Sequence, residues 1–84
     1  MERERFMFTK EEKKFAIAVG DNLRRYRKSS RLTQAEVYAR TSIFQNTISD
    51  YEHGRRNASL IRLYRLAKCY GCEVSDLIRT RKEW

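Results

Sequence analysis

The feature that most constrains this chain is its lack of the residues that interrupt helices. Among its 84 residues there is no proline, and glycine occurs only three times. Because the interior of a helix excludes both residues, a chain so poor in them favours a mostly helical fold. Its length makes one small domain, with little room for a deep catalytic cleft. Apolar residues make up 40% of the chain, which argues against disorder, so the sequence predicts an all-α protein.

Positive charge is in excess and is segregated along the chain. Lys and Arg number 19 and Asp and Glu number 11, which gives a net charge of +8 at pH 7. Two long stretches, residues 22–35 and 53–72, contain basic residues but no acid. Any one of these arginines is consistent with a solvated helix face, but a surface selected only for solubility would mix the two signs. We therefore expect a polyanionic partner, with nucleic acid favoured over an anionic membrane.

No segment has the character of a membrane span or a secretion signal. The longest apolar run, Phe15–Val19, falls far short of the roughly 20 residues that cross a bilayer. The charged N-terminus, Met1–Arg5, is not followed by the apolar core of a signal peptide. We therefore expect a cytoplasmic protein with no membrane partner and with its cysteines reduced.

Capping patterns and apolar spacing divide the chain into helices. Thr9–Glu12 and Thr33–Glu36 both read Thr-x-x-Glu, the capping box that begins a helix. The predicted helices run from about Lys10 to Lys28, Gln34 to Arg40, Gln45 to Glu52, Leu60 to Tyr70 and Val74 to Thr80. The prediction is a compact bundle of about five helices, with a domain at 9–80, an N-terminal arm at 1–8 and a C-terminal tail at 81–84.

Apolar residues recur at three- and four-residue spacing, which assigns buried faces to the helices. The first helix is expected to bury Phe15, Val19, Leu23 and Tyr26. The fourth is expected to bury Leu60, Leu63, Leu66, Ala67 and Tyr70. The last helix is too short to be stable alone, so its apolar residues must pack on something; they are Val74, Leu77 and Ile78.

Two short helices joined by a tight turn lie between Thr33 and Glu52, an arrangement that can present a helix to the major groove of DNA. The segment resembles helix-turn-helix regulators of the Cro and phage-repressor type, the XRE family. The residues that carry the likeness are Leu32–Val37 (LTQAEV), Arg40–Ile43 (RTSI) and Gln45–Ser59 (QNTISDYEHGRRNAS), and it continues without a gap through Leu77. The resemblance implies a lambda-repressor-like DNA-binding domain. Four positions depart from the usual family residue, namely Tyr38 for Ala, Ser42 for Gly, Phe44 for Ser or Thr, and Ala58 for Pro.

The third helix presents a polar face that suits base reading. With Ile48 and Tyr51 pointing inward, the residues that face outward are Gln45, Asn46, Ser49 and Asp50. Gln and Asn side chains form paired hydrogen bonds with adenine, and a carboxylate accepts from the N4 amino group of cytosine. We expect these four residues to read bases; the alternative is a plain polar helix face.

A second set of residues is expected to hold DNA phosphates. The resemblance implies this role for the loop Arg55–Asn57 and for Gln34, which would also brace the start of the third helix. Gln34 sits at a helix N-terminus, where free N–H groups already favour anions. The full set is Thr33, Gln34, Thr47, Arg55, Arg56 and Asn57, with simple capping as the alternative for Thr33 and solvated charge for the arginines. In the family, the pair matching Arg27 and Glu52 forms a salt bridge between the first and third helices, which implies a structural role for both.

Cys69 and Cys72 form a C-x-x-C motif, but their surroundings do not suit chemistry. A redox motif needs a helix that starts at the first cysteine, whereas Cys69 lies at a helix end. A zinc site needs two further ligands, and the single histidine, His53, is far away in sequence. We therefore expect buried, reduced thiols, no metal, no cofactor and no catalytic site.

These features favour a sequence-specific DNA-binding regulator over two alternatives. We expect a repressor that binds double-stranded DNA as a homodimer, with no small-molecule ligand. The dimer candidates are the apolar ends of the domain, namely Phe6-Met7-Phe8, Val74-Leu77-Ile78 and Trp84. One alternative is a protein-interaction module, antitoxin-like or anti-repressor, that uses Tyr38, Phe44 and the arm Phe6–Phe8. The other is a thiol enzyme based on Cys69 and Cys72.

Overall fold

The computed structural model describes residues 8–80, and five α-helices account for most of that range. They are α1 (Lys10–Ser29), α2 (Gln34–Thr41), α3 (Gln45–Glu52), α4 (Leu60–Tyr70) and α5 (Val74–Ile78). The predicted all-α fold is confirmed, and the first four helices begin and end within one residue of their predicted bounds. α5 ends at Ile78, two residues before the predicted Thr80. Among the described residues, no helix combines the length and the apolar character that crossing a bilayer requires.

Side-chain caps begin α1 and α2 as the sequence predicts. The Thr9 hydroxyl accepts from the backbone N–H of Glu12 at 3.0 Å, and the Thr33 hydroxyl accepts from that of Glu36 at 3.1 Å. The glutamate carboxylates accept in turn from the threonine N–H groups, at 3.0 and 2.8 Å. Each box satisfies two N–H groups that a helix start otherwise leaves unpaired, and the capping side chain contributes about 1 kcal/mol.

All five helices contribute to one core. The largest fully buried side chains are Leu23, Val37, Ile43, Ile48, Leu66 and Leu77. Partly buried side chains packed against them include Val19, Tyr26, Leu63 and Val74. α1 packs against α3 and α5, and α2 packs against α3 and α4. Because α3 contacts both α1 and α2, its inner face is anchored from two sides while its outer face stays at the surface.

Three apolar residues lie where the sequence did not place them. Leu60 and Phe15 are 70% and 42% exposed, although helical spacing assigned them to buried faces. Both lie in the N-terminal part of their helices. The apolar pattern extends into this part, but no other described helix fully covers these two side chains. Leu77, expected to be available for a dimer contact, is 0% exposed because it packs into the core. Its neighbour Ile78 remains 41% exposed.

The end of α5 is fixed by Asn22 of α1, a buried polar side chain that no sequence pattern identified. Its Nδ2 group donates to the carbonyl oxygens of Leu77 at 2.9 Å and Arg79 at 2.8 Å. Arg79 itself is extended, so the helix stops where its last carbonyl groups find this donor. The two bonds tie the last described helix to the first.

Close backbone packing at two glycines fixes how α1 meets the end of α3. A Cβ on Gly20 would lie 2.6 Å from the carbonyl oxygens of Tyr51 and Glu52, so a larger residue does not fit without a shift. Gly54 has the left-handed conformation expected where a helix ends, with φ +69°, and a Cβ there would lie 2.8 Å from Ile17. The C-terminal end of α3 is therefore pressed against α1.

Candidate nucleic-acid interface

The helix-turn-helix unit consists of α2, α3 and the turn between them. Ser42 ends α2 in the left-handed conformation, with φ 64° and ψ 14°, and its N–H donates to the carbonyl of Tyr38 at 2.8 Å. The Thr41 hydroxyl donates to the Val37 carbonyl at 2.8 Å and accepts from the Ile43 N–H at 3.2 Å. The turn is therefore hydrogen-bonded from within, although Ser42 occupies a conformation that suits glycine. It sets the direction in which α3 leaves α2.

α3 divides into an inner apolar face and an outer polar face. Ile48, on the inner face, is buried against the core. All four predicted base readers lie on the outer face: Gln45 and Asn46 are exposed in the first turn, whereas Ser49 and Asp50 are half-buried one turn later. The first turn of α3 is thus the part whose polar side chains are most available to a ligand.

Asp50 is turned towards the loop that follows α3. Its carboxylate oxygens lie 3.6 Å from Nη1 of Arg55 and 3.5 Å from Nε of Arg56. Both arginine side chains are more than half exposed, so solvent screens these ion pairs and they contribute little stability. Asn57, the third predicted phosphate ligand of the loop, is also exposed. A predicted base reader therefore lies against two predicted phosphate ligands, a contact that the sequence analysis did not anticipate.

The end of α3 is held by Glu52, which accepts hydrogen bonds from two other helices. Nε of Arg27 lies 2.7 Å from Oε2 of Glu52, and Nη2 lies 3.1 Å from Oε1. Gln34 donates from Nε2 to the same Oε1 at 3.1 Å. The hydrogen bond to Glu52 raises the pKa of Arg27 against the opposing effect of burial. One carboxylate therefore joins α1, α2 and the last turn of α3.

The contact of Gln34 differs from the role that the family resemblance implied. The expectation was a brace at the start of the third helix, whereas Gln34 binds Glu52 at its end. The reason lies in the turn at Ser42, which brings the end of α2, and not its beginning, to the start of α3. The beginning of α2 therefore lies beside the last turn of α3.

The two threonines of the predicted phosphate set lie on different helices. Thr33 is exposed at the start of α2, and its hydroxyl accepts the capping bond from Glu36. The hydrogen bonds with Thr33 lower the pKa of Glu36, and the bond from the Thr33 backbone N–H has the largest effect. Thr47 is half-buried in the first turn of α3. Capping accounts for the position of Thr33, while its hydroxyl hydrogen remains available to an acceptor.

Two basic residues to which the sequence analysis assigned no role form hydrogen bonds with the C-terminal end of α3 and the turn that follows it. Lys13 of α1 donates from Nζ to the carbonyl of Gly54 at 2.8 Å, and Arg62 of α4 donates from Nη1 to the hydroxyl of Tyr51 at 2.9 Å. No sequence signal pointed to Lys13, since its partner is a backbone carbonyl 41 residues away. Arg62 belongs to the acid-free stretch noted above, but composition alone does not say which of its arginines binds Tyr51. Both contacts steady the segment that carries Arg55 and Arg56.

The C-x-x-C motif lies away from α3 and has the properties of structural thiols. Cys69 is in the last turn of α4 and Cys72 follows it; both are unpaired and half-buried, so the expected burial is only partial. Burial raises the pKa of each thiol, which keeps it protonated, the opposite of a redox-active cysteine. Within residues 8–80, no group of three or more His, Cys, Asp or Glu side chains is arranged to hold a metal ion.

Comparison with known proteins agrees with this geometry. The model of a family described as helix-turn-helix matches residues 23–77, which include all of α2 and α3. An uncharacterised HTH-type transcriptional regulator, y4dJ of Sinorhizobium fredii, is 42% identical over 65 residues, which cover 77% of this chain and 84% of that protein. Among solved structures, the restriction-modification controller protein C.AhdI of Aeromonas hydrophila superposes with a TM-score of 0.71 at 26% identity. That match covers 74% of this chain and 94% of the controller protein.

Proposed function

The chain belongs to the helix-turn-helix family of transcriptional regulators, of the XRE type, and on that premise we propose that it is a repressor that reads the major groove of double-stranded DNA with α3. One observation carries the proposal: Gln45 and Asn46 are exposed side by side in the first turn of a helix whose other face is buried. In helix-turn-helix proteins the N-terminal residues of the recognition helix contact base edges. Amide side chains suit this role because they form paired hydrogen bonds with N6 and N7 of adenine.

Ser49 and Asp50 extend the reading face by one turn. A serine hydroxyl can donate or accept at a base edge, and a carboxylate accepts from N4 of cytosine. Asp50 is engaged by Arg55 and Arg56, so it can read a base only when these arginines turn away. Phosphates supply the competing anion, and because the exposed ion pairs are weak, phosphate binding would release the carboxylate for base reading.

Phosphate ligands flank α3 on two sides. The start of α2 supplies Thr33 and Gln34, and α3 itself supplies Thr47. The loop after α3 supplies Arg55, Arg56 and Asn57. Gln34 donates one amide hydrogen to Glu52, and the second can bond to a phosphate. The N-terminus of α2 adds N–H groups that favour an anion. Contacts of this kind set the register of a protein on DNA without reading its sequence.

The protein acts as a homodimer, so that two copies of α3 read two half-sites. Support comes from apolar side chains at one end of the domain, where Phe15 and Ile78 are both more than 40% exposed. Together with Phe8 they line a cleft of about 370 Å³, and Arg56 and Asn57 of the loop after α3 also line it. Of the other candidates, Phe6, Met7 and Trp84 lie outside the described residues, as does the rest of the tail 81–84, and Val74 is partly buried against the core. We place this activity in the cytoplasm, where a dimer bound over a promoter would block transcription.

Selection of bound sequences from a random pool of duplexes tests the proposal. At about 150 mM salt, where non-specific binding is weakened, the protein should enrich one site with two half-sites about 10 base pairs apart, or a multiple of that distance. Gln45→Ala and Asn46→Ala should each weaken that site by about 1–3 kcal/mol and relax the preference at one or two positions.

Two controls accompany the selection. Tyr64→Phe removes a hydroxyl from an exposed residue of α4, outside α2, α3 and the proposed dimer contact, and should bind as the natural protein does. Equal loss of affinity for all duplexes in the Gln45 and Asn46 variants would contradict base reading. Failure to bind random DNA even at low salt would instead favour a protein-interaction module.

A further inference from the structure

Two aromatic rings lie exposed where α2 and α3 meet. The ring centroids of Tyr38 and Phe44 are 5.9 Å apart, with their planes inclined by 30°. The residues are 44% and 65% exposed, and neither belongs to the core described above. We call Tyr38 and Phe44 the aromatic pair.

The aromatic pair is continuous with the proposed reading face. Phe44 is the N-cap residue of α3 and directly precedes Gln45. Tyr38 lies one turn after Gln34 on α2, and Gln34 contacts the far end of α3 through Glu52. Since residues four apart share a helix face, the side of α2 that carries Gln34 and Tyr38 runs along α3. The aromatic pair therefore lies at the first turn of α3, beside the exposed amides.

Phe44 is unfavourable at this position for folding alone. An N-cap residue normally accepts a hydrogen bond with its side chain, and α3 has no such bond. The ring is largely exposed to water and covers no core. A residue that gives up a cap and exposes an aromatic surface breaks two local rules at once, and such breaks are expected at functional sites.

We propose that Phe44, positioned by Tyr38, contacts the C5-methyl group of a thymine. This contact would select thymine at one position of each half-site, and the inference rests on the DNA-binding function proposed above. That methyl is the apolar group displayed on base edges in the major groove, and phenylalanine is among the side chains that contact it. The ring has no donor or acceptor with which to read a base in any other way. The neighbouring amides would read the adjacent pairs, so that one turn of helix reads by hydrogen bonding and by apolar contact.

Replacing single thymines by deoxyuridine tests the inference, because only the methyl group is removed while base pairing is kept. In the site obtained by selection, one thymine per half-site should weaken binding about fourfold when replaced, the effect of burying one methyl group. Phe44→Ala should bind the thymine and deoxyuridine duplexes equally. Phe44→Leu, which keeps an apolar side chain, should retain part of the difference.

Variants of other residues separate this contact from a general effect. Tyr38→Ala should reduce the ratio between the two duplexes, whereas Tyr38→Phe should preserve it. Tyr64→Ala removes another exposed aromatic ring, on α4, and should leave the ratio unchanged. Specific binding in which every thymine tolerates deoxyuridine, or a ratio that persists in Phe44→Ala, would overturn the thymine contact and leave the proposed function standing. If no duplex is bound specifically, both are overturned.

Discussion

The carboxylate of Glu52 shows how much of this fold rests on a single residue. It is 3% exposed and its cationic partner Arg27 is 12% exposed, so removing one partner leaves the other charge uncompensated. We expect Arg27→Met and Glu52→Leu each to lower the free energy of unfolding by about 3–5 kcal/mol. The double variant, with two apolar side chains, should lose less than either single variant. Urea unfolding of the four proteins measures these differences.

An exposed arginine provides the control for this cycle. Arg55→Ala removes a guanidinium whose carboxylate contact is 3.6 Å long and solvent-exposed, and its effect on stability should stay within about 0.5 kcal/mol. If the losses from Arg27→Met and Glu52→Leu simply added in the double variant, the two side chains would not be interacting.

Tyr70 should make stability fall at alkaline pH. Its hydroxyl is buried and has no hydrogen-bond partner among the described residues, and burial is the main cause that raises its pKa. In the unfolded chain the phenol ionises near pH 10, while in the folded protein burial raises its pKa and moves ionisation to higher pH. The protonated phenol therefore makes its full contribution to the free energy of unfolding below about pH 10, and this contribution falls as the pH rises above this value.

Tyr70→Phe tests this dependence directly. The variant should lose less stability than the natural protein between pH 9 and 11, and at pH 7 it should be equal or up to about 1 kcal/mol more stable, because a buried unsatisfied hydroxyl is removed. Urea unfolding at several pH values compares the two chains, which share all their other titratable groups. Identical pH profiles would mean that the phenol ionises freely in the folded state.

The position of some side chains could be predicted from the sequence, and the contacts of others could not. Gln45 and Asn46 follow from helical periodicity, because their neighbours Ile48 and Tyr51 must face the core. Asn22 was not predictable, since its partners are backbone carbonyls, which every residue carries. The contact of Asp50 with the loop arginines was missed for a related reason: it depends on how the chain turns after α3.

The backbone of the turn between α2 and α3 is strained at Ser42, and this strain affects the stability of the helix pair. Ser42 has φ 64°, a conformation that a residue with a Cβ adopts only with strain. Ser42→Gly should therefore raise the free energy of unfolding by about 0.5–1 kcal/mol. Thermal or urea unfolding measures the change.

The same type of substitution elsewhere in α2 gives the opposite sign. Ala39→Gly lies in the helix interior at an exposed position and should destabilise by about 1 kcal/mol. A loss of stability in both variants would indicate that the Ser42 side chain contributes contacts that outweigh its backbone strain.

Helix boundaries were predictable here because the chain marks them chemically. Two capping boxes and the N-cap Ser59 begin three of the helices, and Gly71 ends α4 in the left-handed conformation. The extent of the buried faces was less predictable, as Leu60 and Phe15 show. Periodicity reports which side of a helix is apolar, whereas burial also depends on where the neighbouring helices end.

For the whole molecule, the charge of the loop after α3 should control binding to every duplex. Arg55→Gln or Arg56→Gln should weaken binding to specific and random DNA alike and reduce the slope of log K against log salt by about one unit. Filter binding or fluorescence anisotropy from 50 to 300 mM salt measures it. Lys14→Gln removes the same charge from an exposed position of α1 and should leave the slope unchanged. Unaltered affinity and slope in both arginine variants would place these side chains away from DNA.

The exposed apolar end should determine the oligomeric state. Ile78→Asp places a charge beside Phe15 and Phe8, with which Ile78 lines the cleft, and should convert the proposed dimer to a monomer in sedimentation velocity. Leu60→Asp alters another exposed leucine, on α4, and should stay dimeric. A natural protein that sediments as a monomer both alone and on a selected duplex would contradict the dimer.

The two ends of α3 are constrained very differently. Its last turn meets Gly20 at a distance that admits no side chain and shares the Glu52 carboxylate with two other helices, whereas its first turn is exposed and uncapped. Residues 44–46 can therefore change without disturbing the anchorage at 51–54. Under the proposed function, such a division would let a lineage acquire new operators by substitutions at a few surface positions, because the residues that read bases would be separate from those that hold the fold.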